Sequence, residues 1–271
     1  MVIDVTKCTG CYNCFLTCRD EFAGNDNPEY SAPQPMSGGN WARVIEIERG
    51  QYPTVKVDHV SMNCMQCDKP GCMTAVSDGA VYKRADGIVI IDPEKARGQK
   101  QIVNACPYRM IEWNEELGLP QKCTFCAHLL DAGDPEPRCV ESCPTGARMF
   151  GDLDDPNSKV AKLVASGATE VIHPEYGLKE KVAYMSLPKK FVAGTVIYGD
   201  IDEVAKDVTV TLEGEGTALT TKTNDFGDFE FDRLAENAVY FVRVAAPGYQ
   251  AASCQTKTAK DIYLGEIVLS K

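Results

Sequence analysis

Near the start of the chain, Cys8, Cys11, Cys14 and Cys18 form a C-x2-C-x2-C-x3-C run. Gaps this short let one loop wrap three thiolates around a single iron-sulfur cube while the fourth cysteine points to a neighbouring cube. Such a run needs a partner run. Downstream come Cys64, Cys67 and Cys72, then Cys106 alone before Pro107, then Cys123, Cys126, Cys139 and Cys143, with Cys254 isolated far beyond them.

The first and last groups each hold three cysteines plus a fourth set off by an x3 gap, so they can exchange fourth ligands as two-cluster ferredoxins do. That pairing assigns cluster one to Cys8, Cys11, Cys14 and Cys143, and cluster two to Cys18, Cys123, Cys126 and Cys139. The same exchange completes Cys64, Cys67 and Cys72 with Cys106 as cluster three. The sister of cluster three would need cysteines where Ala96, Gln99, Ile102 and Val76 stand. All four are missing together, so one whole site has been deleted and no other is crippled. The count closes on three 4Fe-4S clusters. A 3Fe-4S cluster or an oxygen ligand is an alternative that the count does not require. With four thiolates on each cluster, no open iron site and no catalytic residue are expected in this chain.

Two other uses of cysteine fit less well. A disulfide scaffold belongs to short secreted chains without C-x2-C clusters. Tetrahedral zinc also uses paired C-x2-C motifs, but the dense first run and the dipeptides Cys106-Pro107 and Cys143-Pro144 are ferredoxin traits. Lys7, Arg19, Lys122, Arg138 and Arg148 flank the ligands and could raise cluster potentials, although each taken singly also reads as ordinary surface charge. His128 is expected to pack beside a ligand rather than replace one. Trp113 is expected to cover a cluster or the core, and Cys254 to be a small buried residue.

The 271 residues allow one or two domains with a sizeable core, and the net charge of -11 argues against a nucleic-acid partner. No run of eighteen apolar residues and no basic-then-apolar leader are found, so neither a membrane span nor an export signal is expected. The expected location is the cytoplasm, with export in complex with a signal-bearing partner left open.

The elements that must hold these cysteines are short. Residues 19–63 form a Gly/Pro/Asn-rich insert with one alternating strand at Val44–Glu48, expected to cover the first cluster pair and offer partner surface. Ala80–Lys83 and Ile88–Asp92 flank an Asp-Gly turn and predict a hairpin. Met110–Trp113 and the loop through Pro120 repeat that scheme. The stretch Asp155-Pro156-Asn157-Ser158 precedes Val160, Leu163 and Val164 at helical spacing and predicts a short capped helix that ends near Gly167. The expected domains are 1–168, carrying the clusters; a linker at 169–190; and a small all-β sandwich at 191–271, with strands at 192–198, 208–212, 218–223, 229–231, 239–245 and 267–269. The fold class is therefore α+β.

Gly194-x-Val196, Asp207-Val208-x-Val210, Thr223-Asn224-Asp225-x-Gly227-x-Phe229 and Pro247-Gly248-Tyr249 resemble a carboxypeptidase-regulatory-like or Cna-B-type domain. The cysteine-bearing part resembles the iron-sulfur subunits of the molybdopterin enzymes of the dimethyl-sulfoxide-reductase family. That resemblance implies two interlocked ferredoxin-like modules and a large catalytic partner carrying bis-molybdopterin guanine dinucleotide with molybdenum or tungsten, in a heterodimer or a higher assembly. The deleted site, the added sandwich and the words Ile91-Asp92-Pro93-Glu94-Lys95, Lys122-Cys123-Thr124-x-Cys126-Ala127-His128 and Thr223-Asn224-x-Phe226-Gly227 resemble the small subunits of the pyrogallol-phloroglucinol transhydroxylase type. This implies a partner acting on polyhydroxybenzenes by hydroxyl transfer, hydroxylation or dehydroxylation. It also implies that the lost cluster is the terminal one, which feeds a membrane anchor in longer relatives. A free multi-cluster ferredoxin and the iron-sulfur subunit of another molybdopterin oxidoreductase are the alternative readings.

Overall fold

Around most of its cysteines the chain has room only for short helices, three of them four residues long. The computed structural model describes residues 1–271 and divides into two units, one of 1–46 with 58–187 and one of 47–57 with 188–271. In chain order the first unit contains β1 (Val2–Asp4), α1 (Asn13–Phe22), β2 (Ala42–Gln51), β3 (Thr54–Asn63), α2 (Gly71–Thr74), β4 (Val81–Lys83) and β5 (Val89–Ile91). There follow α3 (Gln101–Asn104), β6 (Ile111–Asn114), β7 (Leu119–Lys122), α4 (Ala127–Ala132), α5 (Arg138–Glu141), β8 (Arg148–Met149), α6 (Lys159–Ala165) and β9 (Ala183–Met185).

The helix α1 buries Cys14, Cys18 and Phe22, which lie four residues apart and so share one face. Phe22 packs on Trp41 with ring centroids 4.6 Å apart. Both expected hairpins form, β4 with β5 and β6 with β7. Asp86 Oδ1 accepts the Ile88 N–H at 3.0 Å in the first turn, and Gly87 supplies its positive φ of 81°. Ser158 caps α6 by accepting from the Ala161 N–H at 3.2 Å.

Residues 169–190, expected as a linker, are built into the first unit as far as Leu187. There β9 lies parallel to β1, which also pairs antiparallel with β8. The buried Tyr184 explains this: its hydroxyl donates to the Ser61 carbonyl at 3.2 Å, and its side chain carries no exposure. The insert 19–63 also holds more order than its composition suggests, because β2 and β3, ten residues each, form a hairpin whose base belongs to the first unit and whose tip, 47–57, belongs to the second.

The second unit adds β10 (Lys190–Tyr198), β11 (Glu203–Val204), β12 (Thr209–Gly214), β13 (Thr217–Lys222), β14 (Asp228–Leu234), β15 (Val239–Ala245), β16 (Ala252–Lys257) and β17 (Ile262–Leu269). One sheet centres on β10, flanked by β11 and β14 and, in parallel, by β17; the other runs β13-β12-β15-β16. Val210, Leu212, Phe229, Phe231, Val242 and Val244 alternate inward to form its core. The tip of the β2–β3 hairpin is held within this unit. Arg49 sits 3.4 Å from Asp261, and Lys56 sits 2.5 Å from Glu230 and 2.8 Å from Asp232.

Candidate iron-sulfur sites

Three sets of four thiols come together in the first unit, each from loops distant in sequence. Cys8, Cys11, Cys14 and Cys143 line one cavity together with Ser61, Thr145 and Arg148. Cys64, Cys67, Cys72 and Cys106 line a second, walled by Val89, Tyr108, Ile111 and Lys122. Cys18 lies among Cys123, Cys126 and Cys139: burial first, then these three thiols, pushes its own pKa well up. Successive cysteines of α1 serve different sets, since one helical turn carries Cys18 about 6 Å along the axis from Cys14.

Backbone geometry aims the loops. Tyr12 at φ 62° and Cys126 at φ 52° start α1 and α4 from the left-handed region, which turns the preceding loop back over its own thiols. The N–H groups of Met110 and Phe125 point at the sulfurs of Cys106 and Cys123 at 3.5 and 3.4 Å. Gly71 has no side chain for a steric reason: a Cβ there would stand 2.7 Å from the Ala105 carbonyl oxygen. This close approach brings the loop of Cys72 against the residue before Cys106.

Burial favours the protonated form of most of these thiols. Burial and then Cys64 push Cys67 up to about 12, and burial carries Cys72 to about 11 against the pull of Lys122. Cys123 is pushed up to about 12 by burial, then by Cys64 and Cys139. Cys143 is the exception. Burial raises it, but the Arg148 N–H, the Thr145 hydroxyl and the N–H groups of Ala147 and Thr145 bring it below its ordinary value. Thiol ligands bind metal as thiolates, so loading must release protons.

No three Cys, His, Asp or Glu side chains converge on a point where one ion could be held. A tetrahedral zinc with bonds near 2.3 Å needs such a point. Four thiols ringing a largely apolar cavity suit a group of several atoms instead, and donor chemistry, cavity lining and N–H···S contacts all fit an iron-sulfur cube.

The positions where a fourth set would need cysteines are packed with other side chains. Ala96 and Ile102 carry no exposure and pack with Ala80, Val81 and Ile91 in an apolar cluster that also touches Val76. Gln99 turns outward to donate to Asp78 Oδ2 at 2.6 Å.

Of the five flanking cations, three have side-chain partners other than thiols. Lys7 pairs with Asp4 at 3.8 Å. Arg19 donates to the carbonyls of Pro35, Met36 and Gly39 and so ties down the insert. Arg138 holds Glu21 and Glu141. Arg148 and Lys122 are buried, at 3% and 2% exposure, which surface charge does not explain. His128 turns to Glu21, at 2.9 Å, and not to a sulfur. Trp113 is half-buried, with Lys100 5.2 Å from its ring, and donates to Glu115; Trp41 is the fully buried indole. Cys254 is half-buried against the sandwich core. Sequence reasoning passed over Gln66, which donates to the Cys123 carbonyl at 2.9 Å and accepts from the Val89 N–H at 2.8 Å, joining two cysteine loops. Its position between Cys64 and Cys67 was the available signal.

These sites define an iron-sulfur protein. A family described as "4Fe-4S dicluster domain" matches residues 55–153, and one described as "Carboxypeptidase regulatory-like domain" matches 192–263. The chain belongs to the iron-sulfur electron-transfer subunits of the dimethyl-sulfoxide-reductase family of molybdopterin oxidoreductases. It is 41% identical to the pyrogallol hydroxytransferase small subunit of Pelobacter acidigallici, over 99% of this chain and 98% of that one. It is 34% identical to a sulfite dehydrogenase subunit of Allochromatium vinosum, over 68% of this chain and 81% of that protein. To the arsenate respiratory reductase iron-sulfur subunit of Shewanella sp. (strain ANA-3) it is 30% identical, over 68% of this chain and 94% of that protein. No helix is long and apolar enough to cross a membrane.

Proposed function

We propose that the chain carries three 4Fe-4S clusters and passes electrons to or from a large subunit holding molybdenum or tungsten on bis-molybdopterin guanine dinucleotide, which acts on a polyhydroxybenzene ring. The ligands are Cys8, Cys11, Cys14 and Cys143; Cys18, Cys123, Cys126 and Cys139; and Cys64, Cys67, Cys72 and Cys106. When bound, the clusters supply one-electron carriers with no open iron. The chain's residues contribute everything else: thiolates that close each iron site, N–H groups that aim at sulfur, and apolar walls that exclude water. The arrangement of four thiols per set beside an apolar cluster at Ala96 and Ile102 is the observation that carries the count of three.

Support for the phenolic substrate comes from extent. Likeness to the pyrogallol hydroxytransferase small subunit runs through the sandwich, whereas likeness to the sulfite and arsenate subunits covers 68% of the chain. The test is anaerobic purification with the large subunit, metal counting, and assay of hydroxyl transfer on pyrogallol. About twelve irons per small chain are expected, with one molybdenum or tungsten per large chain. About sixteen or about eight irons would refute the count, and a fully loaded complex inert to polyhydroxybenzenes would refute the substrate class.

A further inference from the structure

The guanidinium of Arg148 is buried without any carboxylate. Its Nη1 donates to Ser61 Oγ, its Nη2 donates to Asn63 Oδ1 at 2.6 Å and lies 3.3 Å from Met1 Sδ, and its Nε has no partner. A guanidinium does not lose its proton in proteins, and a buried charge without a counter-charge is strongly unfavourable. Something anionic must therefore face it.

Arg148 lines the cavity of the first thiol set; burial works against its charge, and Cys139, Cys14, Tyr184 and Cys123 favour it, while the guanidinium in turn acts to lower the pKa of Cys18. Cys14 belongs to the first thiol set; Cys18, Cys123 and Cys139 belong to the second. Ser61 Oγ lies 3.4 Å from Cys14 Sγ, so one hydroxyl joins the guanidinium to the first set. The side chain thus stands between two sites.

We propose that Arg148 is the shared counter-ion of the first and second clusters and raises the reduction potential of both. The inference rests on the cluster assignment above. Four thiolates make each cluster anionic, and reduction adds one more negative charge to it. A fixed cation close to both, in a water-poor interior, favours the reduced form of each. Arg148 lines the cavity of the first set and not that of Cys64, Cys67, Cys72 and Cys106, so the third cluster should not respond.

The test compares Arg148→Gln and Arg148→Lys with the native protein in the complete anaerobic complex, by iron counting and by redox titration followed by electron paramagnetic resonance. A native complex without about twelve irons per small chain would refute the cluster assignment itself. Given full iron, Arg148→Gln should weaken reduction of the first and second clusters about tenfold each, ~59 mV for a one-electron couple. The third should stay unchanged, and Arg148→Lys should recover most of the shift. Iron loss from the first two sites in Arg148→Gln but not in Arg148→Lys would also support the proposal, because retained charge would then be what holds the anionic clusters. Unshifted potentials at full iron, an equal shift of all three clusters, or equal iron loss in both variants would overturn it.

Discussion

Cys106 stands alone in its stretch of chain, yet it lines the same cavity as Cys64, Cys67 and Cys72. Replacing it tests the whole scheme of remote donors. Cys106→Ala should lower the iron of the purified complex from about twelve to about eight per chain, while Cys254→Ala, in the sandwich, should leave it unchanged; colorimetric iron counting reads both. Asp131 offers a pH test at the same scale. Arg84 donates to its carboxylate at 2.7 and 2.8 Å and Tyr30 at 2.5 Å, and these contacts hold its pKa at about 2. A carboxyl depressed in the folded chain adds stability above its unfolded value and loses it as pH falls through the folded one. The stability gap between native protein and Asp131→Asn should therefore be full above the ordinary value of 3.8 and vanish towards about 2, as followed by circular dichroism of acid unfolding. These residue-scale features were unequally legible. Thiol spacing announced which distant cysteines line a common cavity, whereas Arg148 and Lys122 looked like any other basic residue, because burial depends on what the rest of the chain lays over them.

At the scale of elements, cysteine loops meet only where the backbone lets them approach. Gly71 is the clearest case, with the Ala105 carbonyl oxygen 2.7 Å from where a Cβ would be. Gly71→Ala should push α2 away from α3 and loosen the Cys72 and Cys106 loops, with loss of about four irons per chain and no change at the other two sites, read by iron counting and resonance spectra. The hairpins at Val81–Lys83/Val89–Ile91 and Ile111–Asn114/Leu119–Lys122 were readable because alternation and turn residues are local signals. Strand β16 was not foreseen: Ala252–Lys257 is mostly Ser, Thr, Gln and Lys, and it becomes a strand by pairing with β15. Pairing partners decide such segments more than composition does.

At the scale of the molecule, the β2–β3 hairpin contributes to both units. Simple truncation after Leu187 would strip Arg49 and Lys56 of Asp261, Glu230 and Asp232 and leave the tip exposed. Truncation combined with replacement of residues 47–57 by an Asn-Gly turn should instead give a folded chain. It should retain about twelve irons, because every proposed ligand lies in the first unit; iron counting and gel filtration check this. A drop in iron would show that the sandwich helps hold the sites.

The sequence by itself determined which thiols exist and how they are spaced, that Ala96, Gln99, Ile102 and Val76 stand where a fourth set would need cysteines, and that an alternating β module follows. Those properties are written in spacing and periodicity, which need no partner element to be read. Only the tertiary structure decided that residues 169–187 pack into the first unit through Tyr184 and β9, that the insert sends a hairpin tip into the second, that Trp41 and not Trp113 is buried, and that Lys122 and Arg148 are buried beside thiols. Burial and pairing arise from segments far apart in the chain, and no local pattern carries that information.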